Sequence, residues 1–332
     1  MNITVLGSGG WGTALALVLA ENGHQVTLWC RRTEKCREMS QSRENPQLKG
    51  VPLPPALELT DDLNCVKGCQ AVVIAAPSFA VRSAARQVRD LLEPDAVVIS
   101  VSKGIEKDTS LILTDVIGEE LPGHPVVALS GPSHAEEVGR RIPTAVVAAS
   151  KDKAAAELTQ DLFMNPYFRV YTTDDVVGVE LGAALKNVIA LSAGVSDGLG
   201  LGDNTKAMLM TRGLTEIARL GEAMGGRKET FAGLAGIGDL IVTCTSMHSR
   251  NRRCGIAIGQ GTPVQEAVGG NGMVVEGYYA AATAKTLADK LRVEMPIAGA
   301  AYQVLYEGKD PKAVVTELMT RERKPESEES WV

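Results

Sequence analysis

Residues 2–12 read Asn2-Ile3-Thr4-Val5-Leu6-Gly7-Ser8-Gly9-Gly10-Trp11-Gly12. A short apolar run breaks into glycines spaced G-x-G-x-x-G, and a helical pattern follows directly. Gly7 suits the tight turn that leaves a strand, Gly9 lets backbone approach a pyrophosphate, and Gly12 lets the helix pack closely on the strand. The helix N-terminus that follows turns unpaired N–H groups toward an anion. This spacing predicts a strand-turn-helix that binds a dinucleotide, with Gly7, Gly9, Gly10 and Gly12 around its phosphates. A bare glycine turn would need neither the strand before it nor the helix after it.

Further apolar runs follow at Gln25–Trp29, 71–75, 96–101 and 126–129, separated by helical spacing over 11–22 and over 79–92, where Pro94 stops it. Strands that alternate with helices imply βαβ units and a parallel sheet. Thr144–Ala149 and 168–171 flank a helical stretch at 151–162 and extend the sheet. After Thr173 no strand pattern recurs. Long apolar-periodic stretches cover 176–225, then 276–290, Pro296–Tyr306 and 311–320. The expected fold class is α/β: an N-terminal doubly wound, Rossmann-type domain over 1–173, then an all-helical domain over 174–320. The tail 321–332 is of mixed charge with little that is apolar, and is expected to fray.

With 332 residues and 45% hydrophobic content the chain is large enough for two cores. A net charge of −6 disfavours nucleic acid and anionic membrane as partners and leaves a small molecule. The N-terminus has no basic segment before its apolar run, and no stretch reads as about 20 uninterrupted apolar residues, so a cytoplasmic protein without a membrane span is expected. The six cysteines are scattered without the C-x-x-C spacing of a zinc site. They read as buried thiols, and no metal is called for.

Arg31-Arg32 follows the second strand, where a site selective for NAD usually places an acid. Two guanidiniums suit an adenosine 2′-phosphate, with a solvated basic turn as the lesser alternative. Farther on, 176–195 is apolar or small apart from Glu180, Lys186 and Asn187. A lysine there must reach water, pair with an acid, or face a polar cleft where its proton is used. Helical spacing puts Glu180 within about 20° of Asn187 and Lys186 about 100° away, so Lys186 and Asn187 flank one groove. At Ser249-Arg250-Asn251-Arg252-Arg253, three arginines in four residues invite a phosphate, or mark an exposed helix start capped by Ser249.

Taken in order, these motifs resemble those of bacterial NAD(P)-dependent glycerol-3-phosphate dehydrogenases from end to end. The resemblance rests on the glycine loop with Trp11-Gly12-Thr13, Ser102-Lys103-Gly104, Ser130-Gly131-Pro132-Ser133, Glu180 through Asn187, and Gly202-Asp203-Asn204-Thr205-Lys206. It continues through Gly238-Asp239-Leu240, Ser249 through Arg253, and Val275-Glu276-Gly277. It implies NADPH/NADP or NADH/NAD as cofactor, contacted by Trp11, Arg31, Arg32, Ala135, Val274 and Glu276. Lys103 would lie where cofactor and substrate meet, and Lys186 would carry the proton. Gly131, Ser133, Asp239, Ser249, Arg250 and Asn251 would line the substrate pocket, with Arg250 also reaching the cofactor and Asn187 and Thr243 as further contacts. The implied substrates are dihydroxyacetone phosphate and sn-glycerol 3-phosphate, the implied role is supply of glycerophospholipid synthesis, and the implied assembly is a homodimer.

The family usually has serine where this chain has Gly10, which removes one hydroxyl near the pyrophosphate and leaves the main-chain donors. Two other readings compete. A two-domain dehydrogenase of a 3-hydroxy acid or sugar acid would share the fold, but not the ordered motifs of the second half. A non-catalytic NADPH-binding sensor would have no need of Lys186, Asp239 and Arg250 together.

Overall fold

The computed structural model describes residues 1–270 and 274–326. Among them, one sheet contains β1 (Asn2–Leu6), β2 (Gln25–Trp29), β3 (Glu58–Thr60), β4 (Ala71–Ile74), β5 (Val97–Ser100), β6 (Val126–Ser130), β7 (Thr144–Ala149) and β8 (Phe168–Thr173). Its order is β3-β2-β1-β4-β5-β6-β7-β8, doubly wound outward from β1. The interior strands are apolar on both faces because helices cover both sides. Those helices are α1 (Gly10–Glu21), α2 (Thr33–Ser42), α3 (Val81–Val88), α4 (Leu113–Glu120), α5 (Ala135–Val138) and α6 (Lys153–Phe163).

The sheet departs from the expected all-parallel form at one junction. β6 and β7 are antiparallel, whereas β7 and β8 are again parallel to each other. The link over 131–143 carries only the single helical turn of α5, so the chain re-enters the sheet at the edge it left and runs back. The predicted helix at 79–92 is also shorter: Ser78–Ala80 forms a 3₁₀ turn and α3 ends at Val88. β3, α2, α4 and α5 had no sequence assignment, since each is short and its apolar residues fall at no clean period.

The second half is helical, with α7 (Val176–Gly198), α8 (Asp203–Ala223), α9 (Lys228–Phe231), α10 (Asp239–Thr245), α11 (Arg250–Gly259), α12 (Val264–Gly269), α13 (Glu276–Leu291), α14 (Pro296–Tyr306) and α15 (Pro311–Met319). α7 is the central rod. By length and composition it is apolar enough to cross a membrane, which the sequence reading had denied to every stretch, and 89% of its most apolar window is packed inside the protein. One side of α7 meets α11 backbone to backbone. A Cβ on Gly194 would come within 2.1 Å of the Arg252 carbonyl oxygen, and one on Gly255 within 2.0 Å of that of Leu191. Gly198 and Gly259 repeat the arrangement one turn on, so four glycines set the helix separation.

In the tail, Arg321–Glu326 is irregular and exposed, with Arg321 and Lys324 paired to Glu294 and Arg212 paired to Glu326. The rest of the tail expected to fray lies outside the described residues.

Candidate active site

The glycine loop closes on itself as its spacing required. Gly7 has φ +127°, and a Cβ there would lie 2.3 Å from the Ala75 carbonyl oxygen, so a side chain is excluded by both strain and space. A Cβ on Gly12 would sit 2.0 Å from the Gly7 carbonyl oxygen, which fixes the helix against the strand. A Cβ on Gly9 would meet nothing within 4 Å. The two outer glycines are thus packed and the middle one opens on space, the arrangement a pyrophosphate needs for close backbone approach. Gly9 caps α1 without a side-chain hydrogen bond, leaving the first-turn N–H groups for an anion.

The other residues expected to hold the cofactor come from several elements. Arg31 and Arg32 are exposed at the C-terminal end of β2, and Ala135 lies beside Gly10. Trp11 is half-buried, and its indole N–H has no hydrogen-bond partner among the described residues. Val274 lies just before α13, whose first residue is Glu276. The Glu276 carboxylate accepts from the Ser78 hydroxyl at 2.7 Å and from its N–H at 3.2 Å. Burial raises its pKa above the usual carboxylate range. The donor set and the open cradle fit a dinucleotide.

The polar centre sits where the two halves meet. Lys103, from the loop after β5, places Nζ 2.6 Å from Asp239 Oδ2, and Lys186, from the middle of α7, places Nζ 2.5 Å from Asp239 Oδ1. Lys186 also donates to Thr243 Oγ1 at 2.6 Å, and Thr243 donates to the Asp239 carbonyl one turn back. Lys103 further donates to the Gly131 carbonyl at 2.9 Å, with Ser133 Oγ at 3.5 Å. Side-chain exposure is 18% for Lys103, 6% for Lys186 and 2% for Asp239, so the bridge is nearly dry on the helical side and open on the cleft side.

These surroundings set the protonation states. Burial lowers the Lys186 pKa to about 8, the Lys103 charge pushes it the same way, and Asp239 opposes both. Burial alone would raise Asp239, but the two ammonium groups outweigh it and hold the carboxyl below its ordinary value. His134, next to Ser133, is lowered by burial and then by the Lys186 charge. The snorkelling alternative for Lys186 is therefore overturned: its nitrogen is buried and ion-paired. Asp239, expected simply to line a pocket, has each oxygen on a lysine.

Other expectations are sorted by what each side chain already bonds. Of the three clustered arginines, Arg252 is tied to Asp197 at 2.8 Å and to the Thr245 carbonyl. Arg250 is exposed at the first position of α11 and makes no hydrogen bond among the described residues. Ser249 caps α11, accepting from the Arg252 N–H at 3.2 Å, so cap and candidate phosphate residue stand side by side. Asn251 donates to Asn187 Oδ1 and accepts from the Gly277 N–H, both at 2.9 Å, which ties α7, α11 and α13 together. Glu180 does not join the site. It leaves α7 toward the N-terminal half and accepts from the Leu113 and Thr114 N–H groups at the start of α4. Sequence reasoning missed Ser78, His134, Lys35 and Asn45; the last two grip the glycine loop from a stretch without periodicity.

A lysine whose proton is poised near neutrality, a second cation beside it and a dinucleotide cradle across the cleft suit the reduction of a carbonyl or its reversal. Sequence profiles of the NAD-dependent glycerol-3-phosphate dehydrogenase N-terminus and C-terminus match residues 2–156 and 175–316. The chain belongs to the NAD-dependent glycerol-3-phosphate dehydrogenase family. Relatives named glycerol-3-phosphate dehydrogenase, NAD(P)+, include one from Desulfitobacterium hafniense, 52% identical over 98% of this chain and 93% of its own length. Another, from Bacillus cereus, is 53% identical over 98% of this chain and 97% of its own. The crystal structure of glycerol-3-phosphate dehydrogenase from Coxiella burnetii superposes with a TM-score of 0.93 at 40% identity, covering 96% of this chain and 99% of that one. The family membership accounts for the Rossmann-type half, the helical half and the use of NAD or NADP.

Proposed function

We propose that this chain is an NAD(P)-dependent oxidoreductase that reversibly reduces dihydroxyacetone phosphate to sn-glycerol 3-phosphate, a precursor of glycerophospholipids. The observation that carries the reading is the Lys103–Asp239–Lys186 bridge, whose Lys103 follows β5 at the same end of the parallel strands as the glycine loop that follows β1. A nicotinamide dinucleotide held at the glycine loop would supply the hydride chemistry at the substrate's carbonyl carbon. As the carbonyl oxygen gains charge, Lys186 gives it a proton and is left as the neutral amine; in the oxidation direction the same amine takes the proton back. Lys103 holds positive charge beside the developing alkoxide, and Asp239 with Thr243 fixes both ammonium groups in place. Arg250, with Ser249 and Asn251 at the start of α11, receives the phosphate, and Gly131, Ser133 and Asn187 complete the pocket.

Gly7, Gly9, Gly10, Trp11, Gly12, Arg31, Arg32, Ala135, Val274 and Glu276 hold the cofactor in this reading, with Arg31 and Arg32 serving the 2′-phosphate of NADPH. It also includes a division into domains at 173/174, a cytoplasmic location and a homodimer, the last open to light scattering. The deciding experiment follows NADPH and NADH oxidation with dihydroxyacetone phosphate, unphosphorylated dihydroxyacetone and a panel of 2- and 3-keto acids. Dihydroxyacetone phosphate should be turned over with by far the highest kcat/KM, and replacing Arg250 by Ala should lower it by about 10²-fold or more. Equal efficiency with dihydroxyacetone, or preference for a keto acid, would refute the assignment.

A further inference from the structure

The stretch between α2 and β3 crosses the glycine loop and is anchored on both sides. Leu48, Val51 and Leu53 are buried in the core, and Glu44 pairs with Pro52 in an isolated bridge. From it Asn45, fully buried, donates through Nδ2 to the Ser8 carbonyl at 3.0 Å and to Thr13 Oγ1 at 2.6 Å. Its Oδ1 accepts from the Gln47 N–H at 2.9 Å, so the amide is fixed at both ends. Lys35, in α2, donates to the same Ser8 carbonyl and to Gln47 Oε1 at 2.8 Å. One carbonyl of the glycine loop thus takes a buried amide donor and an ammonium donor, drawn from two different elements.

The geometry of the peptide unit gives this a purpose. In a trans peptide the carbonyl and the following N–H point in opposite directions. Two donors that pin the Ser8 carbonyl to the protein side therefore turn the Gly9 N–H to the other side, and a Cβ on Gly9 would meet nothing within 4 Å. We infer that Lys35 and Asn45 are positioning residues for pyrophosphate recognition: they orient the Ser8–Gly9 peptide so that its N–H is presented to the cofactor's phosphates. This rests on the reading of the glycine loop as the dinucleotide site and adds residues that the G-x-G-x-x-G spacing does not contain. Lys35 acts through the peptide, in contrast to Arg31 and Arg32, whose guanidiniums stand exposed for a 2′-phosphate.

Replacement of Lys35 by Met and of Asn45 by Ala tests the assignment, with dissociation constants for NADPH, NADH and adenosine 2′-monophosphate measured by tryptophan fluorescence or calorimetry. The pyrophosphate is common to both dinucleotides and absent from the mononucleotide. Each variant should lose about tenfold in affinity for NADPH and for NADH alike, while adenosine 2′-monophosphate binds as before. Lys35→Met, at a half-exposed position, is expected to keep the fold and carries the test if Asn45→Ala does not. Unchanged dinucleotide affinity in Lys35→Met, with or without a lowered Tm, would overturn the inference. Loss for NADPH alone, or equal loss for adenosine 2′-monophosphate, would also overturn it by moving Lys35 to the 2′-phosphate end. If the unaltered protein bound neither dinucleotide, the glycine-loop reading itself would fall, and the clasp with it.

Discussion

Lys186 shows how one residue type acquires a use from its surroundings. Its ammonium is buried in an apolar helix and lies near the Lys103 charge, and these outweigh its pairing with Asp239 and lower its pKa to about 8. Reduction needs the protonated form, so kcat/KM for the ketone should be constant at lower pH and fall as pH rises through about 8. Oxidation needs the free amine and should rise through the same point. In Lys186→Met the inflection should vanish and kcat should drop roughly 10²-fold or more, with NADPH binding retained. A variant within a few-fold of the unaltered enzyme would transfer the proton role to Lys103. Gly10 carries a second residue-scale prediction. The loss of the family serine looked in sequence like one missing hydroxyl, but a Cβ there would come within 2.8 Å of the Gln47 carbonyl oxygen. Gly10→Ser should therefore push back the stretch that bears Asn45 and lower Tm by about 2–4 °C, together with the affinity for both dinucleotides. Calorimetry showing no change in Tm would mean that the stretch yields freely.

At the scale of elements, the seam between α7 and α11 decides where the substrate residues stand. Backbone contact through Gly194, Gly198, Gly255 and Gly259 leaves no slack, and α11 carries Arg250 and Asn251 at its start. Gly255→Ala should force the helices apart at a cost of about 1–3 kcal/mol and raise KM for dihydroxyacetone phosphate more than KM for NADPH. Gly118→Ala in α4, where a Cβ meets nothing within 4 Å, is the control and should gain about 0.4–1 kcal/mol. Equal Tm changes in the two variants would show that the seam has room. The repeated G-x-x-x-G spacing was present in the sequence, yet it has no meaning until two helices are known to face each other. Axial distance hid Glu180 in a similar way. Helical spacing put it on the Asn187 face, but seven residues are about 10 Å of helix, and its neighbours there are the N–H groups of α4.

For the whole molecule, the alternation of apolar runs made the sheet legible, while the reversal at β7 and the short elements were not, because direction and brief contacts leave no period. The site residues could be named from motifs, whereas their grouping could not: Lys103 and Asp239 are 136 positions apart and meet only in the folded chain. Glu180 also joins those halves, and burial raises its pKa to about 7. Its folded value lies above its unfolded one, so its contribution to stability is fully present below about pH 4.5 and is lost as pH rises through about 7. Melting curves should show a shallower decline between about pH 5 and 7 in Glu180→Gln than in the unaltered protein; an identical slope would mean that Glu180 stays ionised throughout. The Lys103–Asp239–Lys186 bridge has a consequence for the bench as well. Two ammonium groups on one carboxylate leave a surplus of one positive charge at neutral pH. Inorganic phosphate and sulfate would settle there in the absence of substrate, protecting the protein against heat by mass action while competing with dihydroxyacetone phosphate. The choice of buffer salt thus becomes a variable of the enzyme's apparent stability and of its apparent KM at once.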